Sequence, residues 1–328
     1  MIRREEARED GLRLDATVNV RRGWGGKDIG DGFTLLRFLG EEKRAVSPWK
    51  ILIAEDLQND DVITRDAWFG GMGLDSQWDP GFLGRIRDML FAPTDDVRSA
   101  SAVAEAIGKT YNGSGPFARV IYTESHDEAK FQRITDRVAP GDAEGWLARK
   151  LSSLGAALLF TSPGIPMLFM GQEFLEFARW NDSTSFALDF GRIGRVSGYF
   201  DLWSRLLKLR RTFDTNILGY IWMAQAAVPH MQKHDCIINT GSIVGMTGIP
   251  ILIDYASSKA AIHAFPKSLA LNLGERGIRV NCVVPGPVWT PNIPGTMPKE
   301  EIEKFGHEVA LARPGQPDVG GEVAVDGR

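Results

Sequence analysis

Two groups of residues in this chain have the types and spacing that nucleophilic attack and proton transfer require. The first is a set of acids closing apolar runs. DGLRLDAT places Arg13 and Asp15 two residues apart, on one face of a strand. ILIAED closes a second run with Glu55, and VIYTESHDE closes a third with His126 and Asp127. Acids at the C-terminal ends of parallel strands converge on one face of a barrel. Two carboxyl groups about 5–5.5 Å apart suit retaining glycoside chemistry. The second group lies further along. Ser242 closes an apolar run, Tyr255 follows thirteen residues later, and Lys259 lies four beyond it. Residues four apart share a helix face, and a nearby ammonium favours the phenolate form of a tyrosine. Tyr255 therefore reads as a general acid/base for a carbonyl or alcohol, with Ser242 hydrogen-bonded to the same oxygen.

The elements that must position these groups differ between the two ends of the chain. Strand-like runs fall at 11–16, 51–57, 72–78, 118–123 and 166–170. Polar and helical stretches separate them, in a β/α alternation. Seven of the nine Trp precede residue 212. Trp24, Trp68 and Trp78 are candidate sugar-stacking platforms, with core packing the weightier reading of each. From Thr212 the texture changes. NILGYIWMAQAAVPHM reads as a helix capped by Asp214 or Thr215, and CIINTGS (236–242) as a strand. Residues 255–277 read as an Ala-rich helix stopped by Gly277 and kinked at Pro266. IRVNCVVP (278–285) reads as a strand before a Pro-rich loop. That is the rhythm of a doubly wound sheet. No Gly, Pro or polar linker marks the change; the joint reads straight through at Arg210–Phe213.

DGLRLDATVNVRR, ILIAEDLQND, SQWDPGF, VIYTESHDE and SPGIPMLFMGQEF resemble, in that order, the alpha-amylase family. Their nearest likeness there is to the bacterial 1,4-alpha-glucan branching enzymes of glycogen biosynthesis. FALDFGRIGRVSGYFDLWSRLLKLRR resembles the segment after the last barrel strand. The resemblance covers residues 1–211 and implies a fragment of a catalytic (β/α)8 barrel. It puts the nucleophile at Asp15, the general acid/base at Glu55 and the third carboxylate at Asp127. Arg13 would keep Asp15 ionised, and His126 would bind the sugar. An alpha-glucan of the glycogen or starch kind is the implied partner, with no cofactor and no metal. The motifs correspond to strands four to eight of the family barrel. Its first three strands, its Asp/Asn/His motif and its following all-β domain have no counterpart here.

TFDTNILGY, IINTGSIVG, YASSKAAI, GIRVNCVVPGPVWTP and ARPGQPD resemble the short-chain dehydrogenase/reductase family over residues 212–328. The resemblance implies the C-terminal half of a Rossmann-like oxidoreductase using NAD or NADP. Its tetrad falls on Asn216, Ser242, Tyr255 and Lys259. Tyr255 and Lys259, with Pro285, Gly286, Val288 and Thr290 of PGPVWT, would contact the nicotinamide end of the cofactor. No T-G-x-x-x-G-x-G run precedes Asn216, so the family's Gly-rich phosphate loop is missing. VGGEVAVDGR after ARPGQPD reads as a deletion that brings the last strand close.

The fold expected is therefore α/β: an incomplete (β/α)8 TIM-type barrel followed by a partial doubly wound domain. Three readings of function remain open: glycosyl transfer or hydrolysis on an alpha-glucan, oxidoreduction of an alcohol or carbonyl with NAD(P), and a fusion that keeps both residue sets while performing neither. Composition narrows the partners. A formal net charge of −4 offers no basic surface to nucleic acid or membrane. The charged opening MIRREEARED is unlike a signal peptide. Cys236 and Cys282 read as two buried thiols in a reducing, cytoplasmic compartment. The incomplete sheets leave edges through which the chain can oligomerise.

Overall fold

The apolar runs do form strands, but short ones. The computed structural model describes residues 10–23, 25–111, 115–181, 187–296, 298–309, 312–317 and 324–325. The chain divides into two units, Met1–Leu206 and Leu207–Arg328. The division lies inside a helix, Ser197–Phe213, three residues before the joint read from the sequence.

In the first unit, β1 (Gly11–Leu14), β2 (Ile51–Ala54), β3 (Ser76–Trp78), β4 (Arg119–Ile121) and β5 (Ile165–Pro166) form one parallel sheet in sequential order. Each strand pairs with the next in chain order, as in Leu12 with Leu52 and Val120 with Ile165. Among the described residues β1 and β5 each have a single neighbour, so this sheet does not close. MLFM (167–170) was expected in the last strand, but the strand ends at Pro166. Proline has no N–H for a ladder, and only Met167 still donates, to the Ile121 carbonyl at 2.9 Å.

Helices α1 (Thr17–Arg21), α2 (Gly30–Val46), α3 (Pro80–Phe91), α4 (Ala100–Gly108), α5 (His126–Phe131), α6 (Ile134–Val138), α7 (Trp146–Thr161) and α8 (Arg192–Arg195) connect and flank the strands. Phe82, Ile86 and Leu90 recur at helical spacing on α3 and bury against Leu159 and Phe160 of α7. Leu36 of α2 buries against Leu52 and Ala54 of β2. Two arginines buried in this unit, Arg119 and Arg21, are paired. Arg119 reaches the Asp79 carboxylate at 3.1 Å and the carbonyls of Ala106, Ile107 and Pro163. Arg21 makes a two-pronged pair with Asp56. A buried charge is tolerated only with such partners.

The second unit begins within α9 (Ser197–Phe213). Neither Asp214 nor Thr215 caps a new helix, contrary to expectation. The chain passes from α9 through a π-helical turn, Asp214–Leu218, into α10 (Gly219–Ala227) without leaving helical dihedrals. Asp214 instead pairs back with Arg210 at 2.8 Å, an i, i+4 contact that favours continuation. After it come β6 (Cys236–Thr240), α11 (Val244–Thr247), α12 (Ile253–Leu273), β7 (Arg279–Val284) and β8 (Ala324–Val325). β6 and β7 are parallel and joined by the α12 crossover; β8 lies antiparallel to β7. Gly277 takes a left-handed conformation (φ 68°) where the helical segment stops, as its position predicted.

Pro266 does not interrupt α12, which runs unbroken across it. The carbonyl that a proline at 266 leaves without its helical donor is that of Ile262, and the Cys282 thiol sits 3.7 Å from it. The two cysteines are half-buried rather than buried. The core here is small: Leu273, Ile278 and Val280 are buried, with Ile237, Leu269 and neighbours packed on them. Ile238, Ile251, Ile253 and Leu271 are largely exposed. Among the described residues no helix is long and apolar enough to cross a membrane.

Candidate functional site

In the first unit the ends of β1 and β2 are laced together. The Glu55 N–H donates to the Leu14 carbonyl at 2.9 Å, and the Thr17 N–H to the Glu55 carbonyl at 3.0 Å. Between them Ala16 is held at φ 43°, a left-handed conformation that costs an alanine roughly 1–2 kcal/mol. Its N–H donates to Glu55 Oε2 at 3.1 Å, a partner that compensates. One nitrogen of Arg13 pairs with Asp15 and also lies 2.7 Å from Glu55 Oε2. The two carboxylate oxygens are therefore within about 5 Å of each other, nearer than the ~6.5–9.5 Å of inverting pairs. A hydrogen bond with Glu55, followed by the Arg13 charge, holds Asp15 below its ordinary value. Glu55 is buried, whereas the Asp15 side chain is 77% exposed.

The third acid comes from the β4 end. Ser125 caps α5: its hydroxyl accepts from the Asp127 N–H, and Glu128 accepts from the Ser125 N–H. This capping box is written in the sequence as S-x-x-E, and it sets His126 and Asp127 on the first turn. His126 Nε2 lies 3.5 Å from Asp127 Oδ1 and 4.0 Å from Glu55 Oε1. Trp78 and Trp180 meet the imidazole edge-on at 6.2 and 5.7 Å. Arg13 stacks over Trp78 at 5.1 Å. So Arg13, Asp15, Glu55, His126 and Asp127 do gather in one place. Glu55, His126 and Asp127 each offer a donor atom within 4.8 Å of the others, and Arg13 already lies 2.7 Å from Glu55. Trp78 is buried in the core and Trp68 is exposed; Trp24 lies outside the described residues. Trp180 had no motif to mark it.

In the second unit the ends of β6 and β7 are tied in the same manner. The Gly241 N–H donates to the Val283 carbonyl at 2.8 Å, and the Ile243 N–H to the Pro285 carbonyl at 3.0 Å. Ser242 and the Pro285–Gly286 turn thus sit side by side at the C-terminal ends of neighbouring parallel strands, where open α/β sheets bind ligands. The loop beyond is braced at Val288, which bridges Gly315, and at Thr290, whose carbonyl accepts from Ile293. Tyr255 and Lys259 share one face of α12. The Lys259 ammonium lies 5.7 Å from the Tyr255 ring and 5.8 Å from the Tyr220 ring. It donates to the Thr240 carbonyl at 2.9 Å. Burial lowers its pKa below the ordinary lysine value.

Asn216 is placed in the π-helical turn. Its amide donates to Ser258 Oγ at 3.0 Å, and Ser258 in turn donates to the Tyr255 carbonyl. Asn216 is thereby linked to the backbone of Tyr255. No hydrogen bond joins the Ser242 and Tyr255 hydroxyls among the described residues. The Ser242 N–H donates to His263 Nε2 at 3.3 Å. His263 escaped the sequence reading, since a lone histidine on a helix gives no spacing signal. At Gly241 a Cβ would fall 2.5 Å from His263 Nε2 and 3.0 Å from Cys282 Sγ, so a larger residue there would have to displace the imidazole.

A parallel pair with a helical crossover, two loops at its strand ends, and a Tyr and Lys on the crossover helix define an α/β unit of Rossmann-like kind. Residues 202–325 match a family described as enoyl-(acyl carrier protein) reductase. Glucose and ribitol dehydrogenase of Daucus carota is 50% identical over 110 residues, which is 34% of this chain and 38% of that protein. NADPH-dependent aldehyde reductase 1, chloroplastic, of Arabidopsis thaliana is 48% identical over the same shares. An uncharacterised oxidoreductase of Bacillus subtilis is also 48% identical over those shares. The C-terminal part of the chain therefore matches short-chain dehydrogenase/reductases, and the chain spans under two fifths of the length of these relatives. The comparisons lend no support to a glucan-acting first unit, a reading that rests on its residues and geometry alone.

Proposed function

We propose that the second unit is the proton-transfer and nicotinamide-end portion of an NAD(P)-dependent oxidoreductase acting on an alcohol or carbonyl. The observation that supports this best is the Lys259 ammonium beside the Tyr255 ring, at a strand end already occupied by Ser242. The Tyr255 hydroxyl gives its proton to the carbonyl oxygen, or takes it from the alcohol. Ser242 Oγ hydrogen-bonds that oxygen. Lys259 stabilises the phenolate that forms, and the partly desolvated setting strengthens the attraction between the two charges. Asn216 is a positioning residue, acting through Ser258 on the Tyr255 backbone.

The polar groups fit the nicotinamide ribose end of a dinucleotide: the Lys259 ammonium, the Pro285 carbonyl and the Gly286, Val288 and Thr290 backbone. When bound, the dinucleotide supplies or accepts the hydride. No glycine-rich phosphate run accompanies these residues in the sequence, so the pyrophosphate gains no helix N-terminus of the usual kind. Titration of the full chain with NADH and NADPH, followed by cofactor fluorescence, is expected to show saturable binding in the millimolar range. It should be weakened by Lys259→Ala. Absence of saturation at several millimolar of either cofactor rejects the reading.

The Arg13 bridge between Asp15 and Glu55 favours a second reading, for the first unit only. Glu55 would protonate the leaving oxygen of an alpha-glucan, while the lowered pKa of Asp15 keeps it ionised for attack on the anomeric carbon. His126 and Asp127 would hold the sugar hydroxyls. Branching-type activity, read as altered iodine staining of amylose, is expected to fall at least about tenfold in Asp15→Asn. Undiminished staining change in that variant removes the reading. If both experiments are negative, the remaining alternative, a chain with both residue sets and neither activity, stands.

A further inference from the structure

Cys282 has a setting that the proton-transfer reading does not use. Its Sγ and His263 Nε2 both lie within 3.0 Å of the point where Gly241 lacks a Cβ. In the β6–β7 register Cys282 faces Asn239, just as Val280 faces Ile237. Ile237 and Val280 pack with Leu269 and Ala270 of α12, so Asn239 and Cys282, two residues on in each strand, present their side chains to the same helix. Asn239 is 3% exposed, and its amide nitrogen is buried without a hydrogen-bond partner. A buried orphan donor costs about 1–3 kcal/mol, and it calls for an oxygen acceptor beside the sulfur. From this geometry we infer that Cys282 is a peroxide-reactive thiol whose sulfenate is received by the Asn239 amide.

The chemistry balances with a small hydroperoxide as oxidant. The Cys282 thiol proton leaves the Ile262 carbonyl, 3.7 Å from the sulfur, and passes to His263 Nε2, which exchanges its bond from the Ser242 N–H for the new proton. The thiolate sulfur attacks one peroxide oxygen, the S–O bond forms, and the O–O bond breaks. For hydrogen peroxide the leaving hydroxide takes the proton from His263 and departs as water. The sulfur is oxidised from thiolate to sulfenic acid, and the peroxide is reduced. The sulfenic acid oxygen then accepts from Asn239 Nδ2. Half-burial of Cys282 restricts access to small oxidants. The sulfenate also has no intrachain thiol to resolve it. Cys236 alternates to the opposite face of the sheet, where its Sγ meets Asn281 Nδ2 at 3.6 Å, and side chains on opposite faces cannot be bridged.

The test treats the full chain with hydrogen peroxide in the presence of dimedone and maps the adducts by peptide mass spectrometry, with Cys236 as the internal reference. Cys282 is expected to be labelled about tenfold faster than Cys236 in the folded chain. In guanidinium chloride the two are expected to react equally. Asn239→Leu, which removes the donor at similar volume, and His263→Gln, which removes the base, are each expected to bring Cys282 close to the Cys236 rate. The Cys236 rate itself reports whether each variant is folded. Equal labelling of the two thiols in the folded chain overturns the inference. So does a Cys282 rate unaffected by both substitutions in variants whose Cys236 rate is unchanged.

Discussion

Replacing Tyr255 by Phe is expected to lower turnover of an alcohol or carbonyl substrate by about 10²–10⁴-fold, the range that a positioned general acid/base contributes, while leaving cofactor binding within about twofold. The separation follows from the geometry. The phenol oxygen is the only atom removed, and the ring that faces Lys259 at 5.7 Å stays. The Lys259 bond to the Thr240 carbonyl also stays, so the ammonium keeps its place. Lys259→Met behaves differently: it removes the charge next to Tyr255 and a donor to the ribose together, so turnover and cofactor affinity fall together. Measuring KM for the dinucleotide and kcat in both variants distinguishes the roles. Equal losses of kcat in wild-type-like and Tyr255→Phe protein relative to background, meaning no effect of the hydroxyl, would remove Tyr255 as the proton carrier.

Several features of both units were legible because a short stretch of sequence determines them. The parallel strands at 11–14, 51–54 and 119–121 follow from apolar runs ended by acids. Gly277 ends its helical segment because a left-handed residue there needs no Cβ. His126 and Asp127 open a helix because Ser125 and Glu128 stand at capping-box spacing. What was not legible depends on contacts distant in sequence. Asp214 looked like a cap, yet Arg210 four residues earlier draws it into a continuous helix. Pro266 looked like a kink, yet α12 runs through it, with the Cys282 thiol of a neighbouring strand at the carbonyl it leaves free. His263, Trp180 and Asn239 belong to the sites only through packing, and no local pattern announces them. The glucan reading shows the other limit. Its residues gather around Arg13, but gathering does not by itself establish a substrate.

The first unit is expected to lose stability steeply above about pH 10 and to unfold from about pH 11 upward. Tyr111, Tyr122 and Tyr199 are all buried there. Burial is the leading cause that raises each phenol pKa well above its ordinary value. Nearby carboxylates add to it, Asp79 for Tyr111 and Glu128 for Tyr122. A phenol is neutral with its proton on. In the unfolded chain it loses the proton near its ordinary value of ~10, while in the folded unit it keeps it. Above that pH the native state therefore binds more protons than the unfolded one, and stability falls as pH rises. Each such phenol contributes a slope of about 1.4 kcal/mol per pH unit, so the three together give about 4 kcal/mol per unit. Against a typical total of about 5–15 kcal/mol, about one to four pH units exhaust it. Arg87 and Arg119, whose pKa values burial lowers, act in the opposite direction, but only near the still higher pKa of an unfolded guanidinium. Circular dichroism and phenolate absorbance recorded from pH 9 to 12 are expected to change together, because the protons leave only on unfolding. In Tyr111→Phe the slope should drop by about a third, since Lys109 still donates to Asn59 at 2.5 Å when the Tyr111 donor is gone. Phenolate appearing gradually from pH 10 with helical signal intact would show that these tyrosines titrate in the folded unit.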